Sequence, residues 1–351
     1  MDSRPPGSVS LYTATAVRPL GHATYHAELV QSFSNGTVPN GGYVASCLMS
    51  AAAAHLKARG QADIITAHFE FTSRTEVGPA VIVVEEVKLG RRLSTLHVAL
   101  YQGSLQPDQA PHLTLPPSAG AAISGKPPPS RRQVVAYFNC GSLEIERGIT
   151  LPTGYDFADT TRVPKPQRPD LAALSRDQDR TWARMRIPDK LGGLERRALH
   201  NMEYYFPRAG QLRKSVIDVW LRLAEPGSRF NNVSLGYVAD SWPYVVEAYR
   251  GSGTTKSTAT TTTRYAEEDE IREDDIFWFP TVVMNLDVKK SLAGRGGVEW
   301  LSMRVEAKQI RNGRLDMEVV LLDEAGGLVA ICHHVNLIVG GERNLKRRTK
   351  L

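Results

Sequence analysis

Gly42-Tyr43-Val44-Ala45-Ser46 returns far along the chain as Gly236-Tyr237-Val238-Ala239-Asp240. Solenoid repeats recur every 20 to 50 residues or so, much closer than these two copies stand. One structural unit is therefore used twice. The copies differ in their last letter, a serine in the first and a carboxylate in the second. A duplicated frame with unequal polar groups predicts one working site.

The first copy opens an Ala-rich run from Tyr43 to Lys57 that is apolar on nearly every face, preceded by Asn40, a good N-cap residue. A helix that apolar must be wrapped by other elements. Alternating or Val-rich segments predict strands over 64–73, 80–89, 94–102 and 133–138, with Gly90-Arg91-Arg92 as a turn. The second half predicts strands over 202–206 and 215–223 and a helix over 233–249. Strands follow over 277–289, 298–309, 315–323 and 328–339, with turns at Asn312-Gly313 and Gly326-Gly327. Each half thus reads as a helix followed by several antiparallel strands. That order predicts an α+β double hotdog, two tandem units each with a long helix wrapped by a curved antiparallel sheet. The units are expected at 20–140 and 201–340, with a connecting segment over 141–200 and a basic tail over 341–351. The Thr-rich stretch over 251–264 has almost nothing apolar to bury and is expected to be disordered.

Composition narrows the class. The chain has 351 residues, 42% hydrophobic and 23% charged, as in a soluble globular protein. No apolar run reaches the length of a membrane span, and the N-terminus lacks a secretory pattern. Cys47, Cys140 and Cys332 have no CxxC spacing and read as reduced thiols of a cytoplasmic protein. No metal or other cofactor is called for. The net charge of +6, from 43 basic and 37 acidic residues, is concentrated in the tail, without a groove-reading motif, so no nucleic-acid partner is expected. Residues 120–126 mimic a phosphate loop, but Pro127 stands where a magnesium-binding hydroxyl is needed. No Gly-x-Ser-x-Gly elbow or dinucleotide-binding turn is present.

Aligning the halves extends the asymmetry. Setting His68-Phe69-Glu70-Phe71 on Asn285-Leu286-Asp287-Val288 places Ile64 opposite Thr281. Setting Val135-Ala136 on Val329-Ala330 places Cys140 opposite His334. Alone, Asp240 could be a helix cap, Thr281 an ordinary strand residue and His334 a structural histidine. Their convergence in one half is what makes Asp240, Thr281 and His334 candidate catalytic residues. A carboxylate among Val238, Ala239 and Trp242 is partly desolvated and suited to act as a general base.

The chain resembles the acyl-CoA thioesterase-like superfamily, in particular its fungal double-hotdog members. The resemblance is carried by Pro39-Asn40-Gly41-Gly42-Tyr43-Val44, Arg74-Thr75-Glu76-Val77-Gly78-Pro79-Ala80, Val87-Lys88-Leu89-Gly90-Arg91, Ser234-Leu235-Gly236-Tyr237-Val238-Ala239-Asp240, Phe279-Pro280-Thr281, Asn285-Leu286-Asp287 and His333-His334-Val335. It implies hydrolysis of an acyl-CoA or acyl-carrier thioester by direct attack of water. It places the family's Asp on Asp240 and its Thr on Thr281, with His334 where the family has Gln. Backbone N–H groups at Gly41 and Gly42 are candidates to bind the substrate's developing oxyanion. Two other readings stand beside this one: an enzyme of a polyketide-like pathway performing product release, dehydration or cyclisation, and a non-catalytic acyl-CoA-binding protein. Homo-oligomerisation is left open. Thr349-Lys350-Leu351 is close to the Ser-Lys-Leu peroxisomal address, an alternative to a cytoplasmic location.

Overall fold

The structure, a computed structural model, describes residues 8–103, 131–149, 151, 166–188, 190–191, 194–242, 245–250, 271, 275–292 and 294–341. The phosphate-loop mimic, the stretch over 251–264 and the tail beyond Gly341 lie outside the described residues.

Strands β1 (Val17–Gly21), β2 (Thr24–Leu29), β3 (Asp63–Phe71), β4 (Gly78–Lys88), β5 (Ser94–Gln102) and β6 (Arg131–Gly141) build the first half. The second half contains β7 (Trp182–Arg184), β8 (Met202–Pro207), β9 (Val216–Leu223), β10 (Thr281–Val288), β11 (Leu301–Arg311), β12 (Arg314–Leu322) and β13 (Leu328–Leu337). They form one 13-stranded antiparallel sheet in the order β1-β2-β4-β5-β6-β3-β10-β13-β12-β11-β9-β8-β7. Read outward from the centre, β3, β6, β5, β4, β2 and β1 match β10, β13, β12, β11, β9 and β8. The fold is a double hotdog, with helix α1 (Gly41–Leu56) in the first half and α2 (Ser234–Ala239) in the second.

The halves join where β3 pairs with β10. His68 sits opposite its own counterpart Asn285, flanked by the pairs Phe69–Met284 and Ala67–Leu286. The pseudo-twofold axis therefore passes through this pair, and His68 Nδ1 lies 2.6 Å from Asn285 Oδ1. The helices pack against each other and α1 packs on the sheet, with Tyr43, Val44, Leu48, Leu235, Tyr237 and Val238 fully buried. Gly42 and Gly236 mark the crossing: a Cβ added at Gly42 would lie 2.4 Å from the Gly236 carbonyl oxygen. The glycines of the repeated pentapeptide are thus required for close approach of the two helices.

Two expectations need correction. The second helix does not run over 233–249. It stops at Ala239, and a separate 3-10 turn covers Val245–Tyr249. A proline such as Pro243 disfavours helical geometry in the residue before it, consistent with the early stop. The strand expected over 277–289 is broken at Phe279-Pro280 into Phe277–Trp278 and β10. The connecting segment carries β7, which extends the sheet because Trp182 is buried against Tyr205, Trp220 and Trp300 and donates its ring N–H to the Gln167 carbonyl. Strand β2 was also missed by pattern reading. The three cysteines are free and buried.

Candidate active site

Asp240 follows the last residue of α2, and its side chain crosses the pseudo-twofold to reach the N-terminus of α1. Gly42 N–H donates to Asp240 Oδ2 at 2.7 Å, and Asn40 Nδ2 donates to the same oxygen at 3.1 Å. Asn40 Oδ1 meanwhile accepts from Tyr43 N–H at 2.9 Å. The start of α1 is therefore capped twice, once by its own Asn40 and once by the carboxylate of the opposite half. The other carboxylate oxygen, Oδ1, accepts from the Thr281 hydroxyl at 3.1 Å.

Thr281 begins β10 beside a register irregularity between Thr281 and Val283, and the first half has one at the matching place, between Ile64 and Thr66. Such bulges re-aim a side chain at the end of a strand. Directly opposite Thr281 in β13 stands Asn336, whose Nδ2 donates to Thr281 Oγ1 at 3.1 Å. Because the hydroxyl gives its only hydrogen to Asp240, it can only accept from Asn336. That fixes the carboxamide, with Nδ2 toward Thr281 and Oδ1 turned away from it. Asn336 Oδ1 is buried and has no hydrogen-bond partner among the described residues.

The hydrogen-bond register changes the alignment of the last strand. His68 pairs with Tyr137, and its counterpart Asn285 pairs with His333. His334 is therefore the counterpart of Phe138, and Asn336, not His334, is the counterpart of Cys140. The identity of Val135-Ala136 with Val329-Ala330 had placed this strand two residues out of register. Asn336 is the residue that sequence reading missed.

Asp240, Thr281 and Asn336 share one wall of a cavity of about 260 Å³, with Phe71, Trp242, Trp278 and Phe279 among the other lining residues. Gly41 lines it too, whereas the Gly42 N–H is committed to Asp240. His334 does not line it. It lies behind Asp240, its Nε2 3.1 Å from the Ala239 carbonyl and its Nδ1 3.8 Å from Asp240 Oδ1. Burial lifts the Asp240 carboxyl from 3.8 to about 6, against the lowering effect of the Gly42, Thr281 and Asn40 hydrogen bonds. Burial likewise lowers His334 to about 4, so the imidazole is neutral. In the first half the equivalent positions hold Ser46, Ile64, Phe138 and Cys140. Ser46 Oγ accepts from Tyr237 N–H and donates to the Val233 carbonyl, both at 2.8 Å, stitching the helices together.

A duplicated hotdog with the hydrogen-bonded Asp240–Thr281–Asn336 series in one half alone defines the class to which this molecule belongs. The chain belongs to the acyl-CoA thioesterase family, matching the family's N-terminal domain over residues 23–115 and its C-terminal domain over 162–338. It is a hydrolase of acyl-CoA thioesters. A thioesterase-like protein of Talaromyces wortmannii, TwmA, is 37% identical over 352 residues, covering 98% of this chain and 96% of that one. Among solved structures, a protein of unknown function with a hot dog fold from Alicyclobacillus acidocaldarius aligns with a TM-score of 0.65 and 15% identity, covering 95% of this chain and 99% of its own. The acyl-CoA thioesterase II TesB2 of Mycobacterium marinum aligns with a TM-score of 0.53 and 15% identity, covering 97% and 99%. These two likenesses concern the fold. No helix among the described residues is long and apolar enough to cross a membrane.

Proposed function

We propose that hydrolysis takes place in the cavity beside α1 by direct attack of water on the thioester carbonyl, with Asp240 as general base and Thr281 and Asn336 as its partners. The observation that carries this is the hydrogen-bonded series Asn336 Nδ2 to Thr281 Oγ1 to Asp240 Oδ1 along one cavity wall. Through Thr281, Asn336 holds the Asp240 carboxylate in place while Asp240 Oδ1 removes a proton of the attacking water. The hydroxide adds to the carbonyl carbon, the carbon–sulfur bond breaks, and the proton leaves with the thiolate. Of the two amides considered for the oxyanion, Gly41 at the positive end of α1 retains that role, since the Gly42 amide serves Asp240. The aromatic lining suits an apolar acyl group.

Free-thiol release from a panel of acyl-CoAs and acyl-carrier thioesters tests the proposal and separates the two carriers. No turnover on any of them by folded protein would refute it. A base that titrates near 6 must be ionised to work. The kcat/KM profile should therefore fall about tenfold per unit below that pH and level off above it. Asn336→Ala should lower kcat roughly 10- to 100-fold at saturating substrate, measured per folded molecule with the folded fraction fixed by a melting curve. An unaffected kcat would remove Asn336 from the site. We place the protein in the cytoplasm, with peroxisomal import through Thr349-Lys350-Leu351 as the alternative. A fluorescent fusion with a free C-terminus should be diffuse in the first case and punctate in the second. The division into units at 20–140 and 201–340 likewise remains a proposal, as does self-association.

A further inference from the structure

From the surroundings of Asp240 we infer that His334 is a positioning residue that acts through this carboxyl group, its Nδ1 receiving a hydrogen bond from Asp240 once the carboxylate has taken the proton of the attacking water. The role rests on Asp240 being the base proposed above.

The Ala239 carbonyl can only accept, so the His334 nitrogen 3.1 Å from it, Nε2, carries the ring hydrogen. Nδ1 then carries a lone pair. It has no hydrogen-bond partner among the described residues, the side chain is completely buried, and it points at Asp240 Oδ1 from 3.8 Å. Among the described residues, Oδ2 already accepts from Gly42 and Asn40 whereas Oδ1 accepts from Thr281 alone, so Oδ1 has room for the incoming proton. A carboxylate opposite a lone pair gains nothing from it. A protonated Oδ1 gains a hydrogen bond after a shift of about 1 Å. The imidazole therefore favours the state that exists after proton transfer, without itself becoming charged. Of the other groups around it, Cys332 Sγ lies 3.2 Å from Nε2, away from Nδ1, and His333 points to the opposite sheet face. In the first half the same position is filled by Phe138, fully buried. Filling space there does not require an imidazole.

The test uses the full chain with His334→Gln, whose amide can keep the donor to Ala239 but has no atom in place of Nδ1, and with His334→Phe, which copies the first half. The expected result for H334Q is a fall in kcat of about tenfold. The acid limb of kcat/KM should also move about one unit to lower pH, because the protonated carboxyl has lost its acceptor. A purely structural role would leave H334Q with the wild-type limb and kcat, and that result overturns the inference whether or not H334F folds. Asp240→Asn separates the two layers. If D240N stays active, the assignment of the base has failed. If D240N is inactive and H334Q is unchanged, only the role of His334 has failed.

Discussion

Asp240→Asn is expected to lower kcat by about two to four orders of magnitude while making the protein more stable at neutral pH. Both effects come from burial. The carboxyl titrates near 6 in the fold against 3.8 in the unfolded chain, so the folded state holds its proton more tightly. The group is protonated in both states below pH 4, and its contribution to stability is then fully present. Between about pH 4 and 6 the unfolded chain ionises first and stability falls. Above 6 both states are ionised and the loss is complete. A shift of two units corresponds to about 3 kcal/mol. Asparagine removes the titration and keeps the shape, and a carboxamide oxygen can still accept from Gly42 and Asn40. Urea unfolding of the two proteins at pH 4 and pH 7.5 checks this. The variant should gain on the wild type by up to about 3 kcal/mol between the two pH values. Equal stability differences at both would show that the carboxylate is not penalised by burial.

How much of this was legible in the sequence follows from the kind of pattern each feature leaves. The duplication was readable because helix crossing demands glycine at Gly42 and Gly236, and Tyr-Val-Ala follows both. Asp240 and Thr281 were found by lining up the halves from fixed points close by. Asn336 was not. A strand alternates its faces with a period of two, so sliding one strand by two residues keeps every side chain on the correct face and leaves the hydrophobic pattern intact. The shared Val-Ala pair at 135 and 329 favoured the slipped alignment, and only the hydrogen-bond partners of His68 and Asn285 correct it. The bulge beside Thr281 likewise has no sequence signal. His334 was singled out for its chemistry, and it does stand beside Asp240, but behind it. A residue name cannot tell a cavity wall from the layer beneath.

The glycine of the first copy yields the second large effect. In an ordinary exposed helix, Gly→Ala stabilises by about 1 kcal/mol. Gly42→Ala should do the reverse. Its Cβ would meet the Gly236 carbonyl oxygen at 2.4 Å, Asp240 Cβ at 2.6 Å and Tyr237 Cα at 3.1 Å, and two of these three atoms are main chain. Nothing flexible can give way, so α1 and α2 must move apart. That movement stretches the 2.7 Å bond from Gly42 to Asp240, so the base loses its anchor as the core loses its packing. A destabilisation of about 3 kcal/mol or more is expected, together with loss of turnover in the fraction that folds. Gly236→Ala provides the comparison. Its Cβ would press on Ser46 Oγ at 2.9 Å, Met49 Sδ at 3.0 Å and Ser46 N at 3.0 Å, and two of those atoms belong to side chains that can rotate. Its added Cβ would face Ser46 and Met49, whereas that of Gly42→Ala would face Asp240 Cβ. G236A should therefore be destabilised less and retain most of its activity. Unfolding curves and kcat for both variants decide the matter. Equal losses of activity would mean that the two ends of the crossing contribute alike to the site, and the link between close approach at Gly42 and the placement of Asp240 would be wrong.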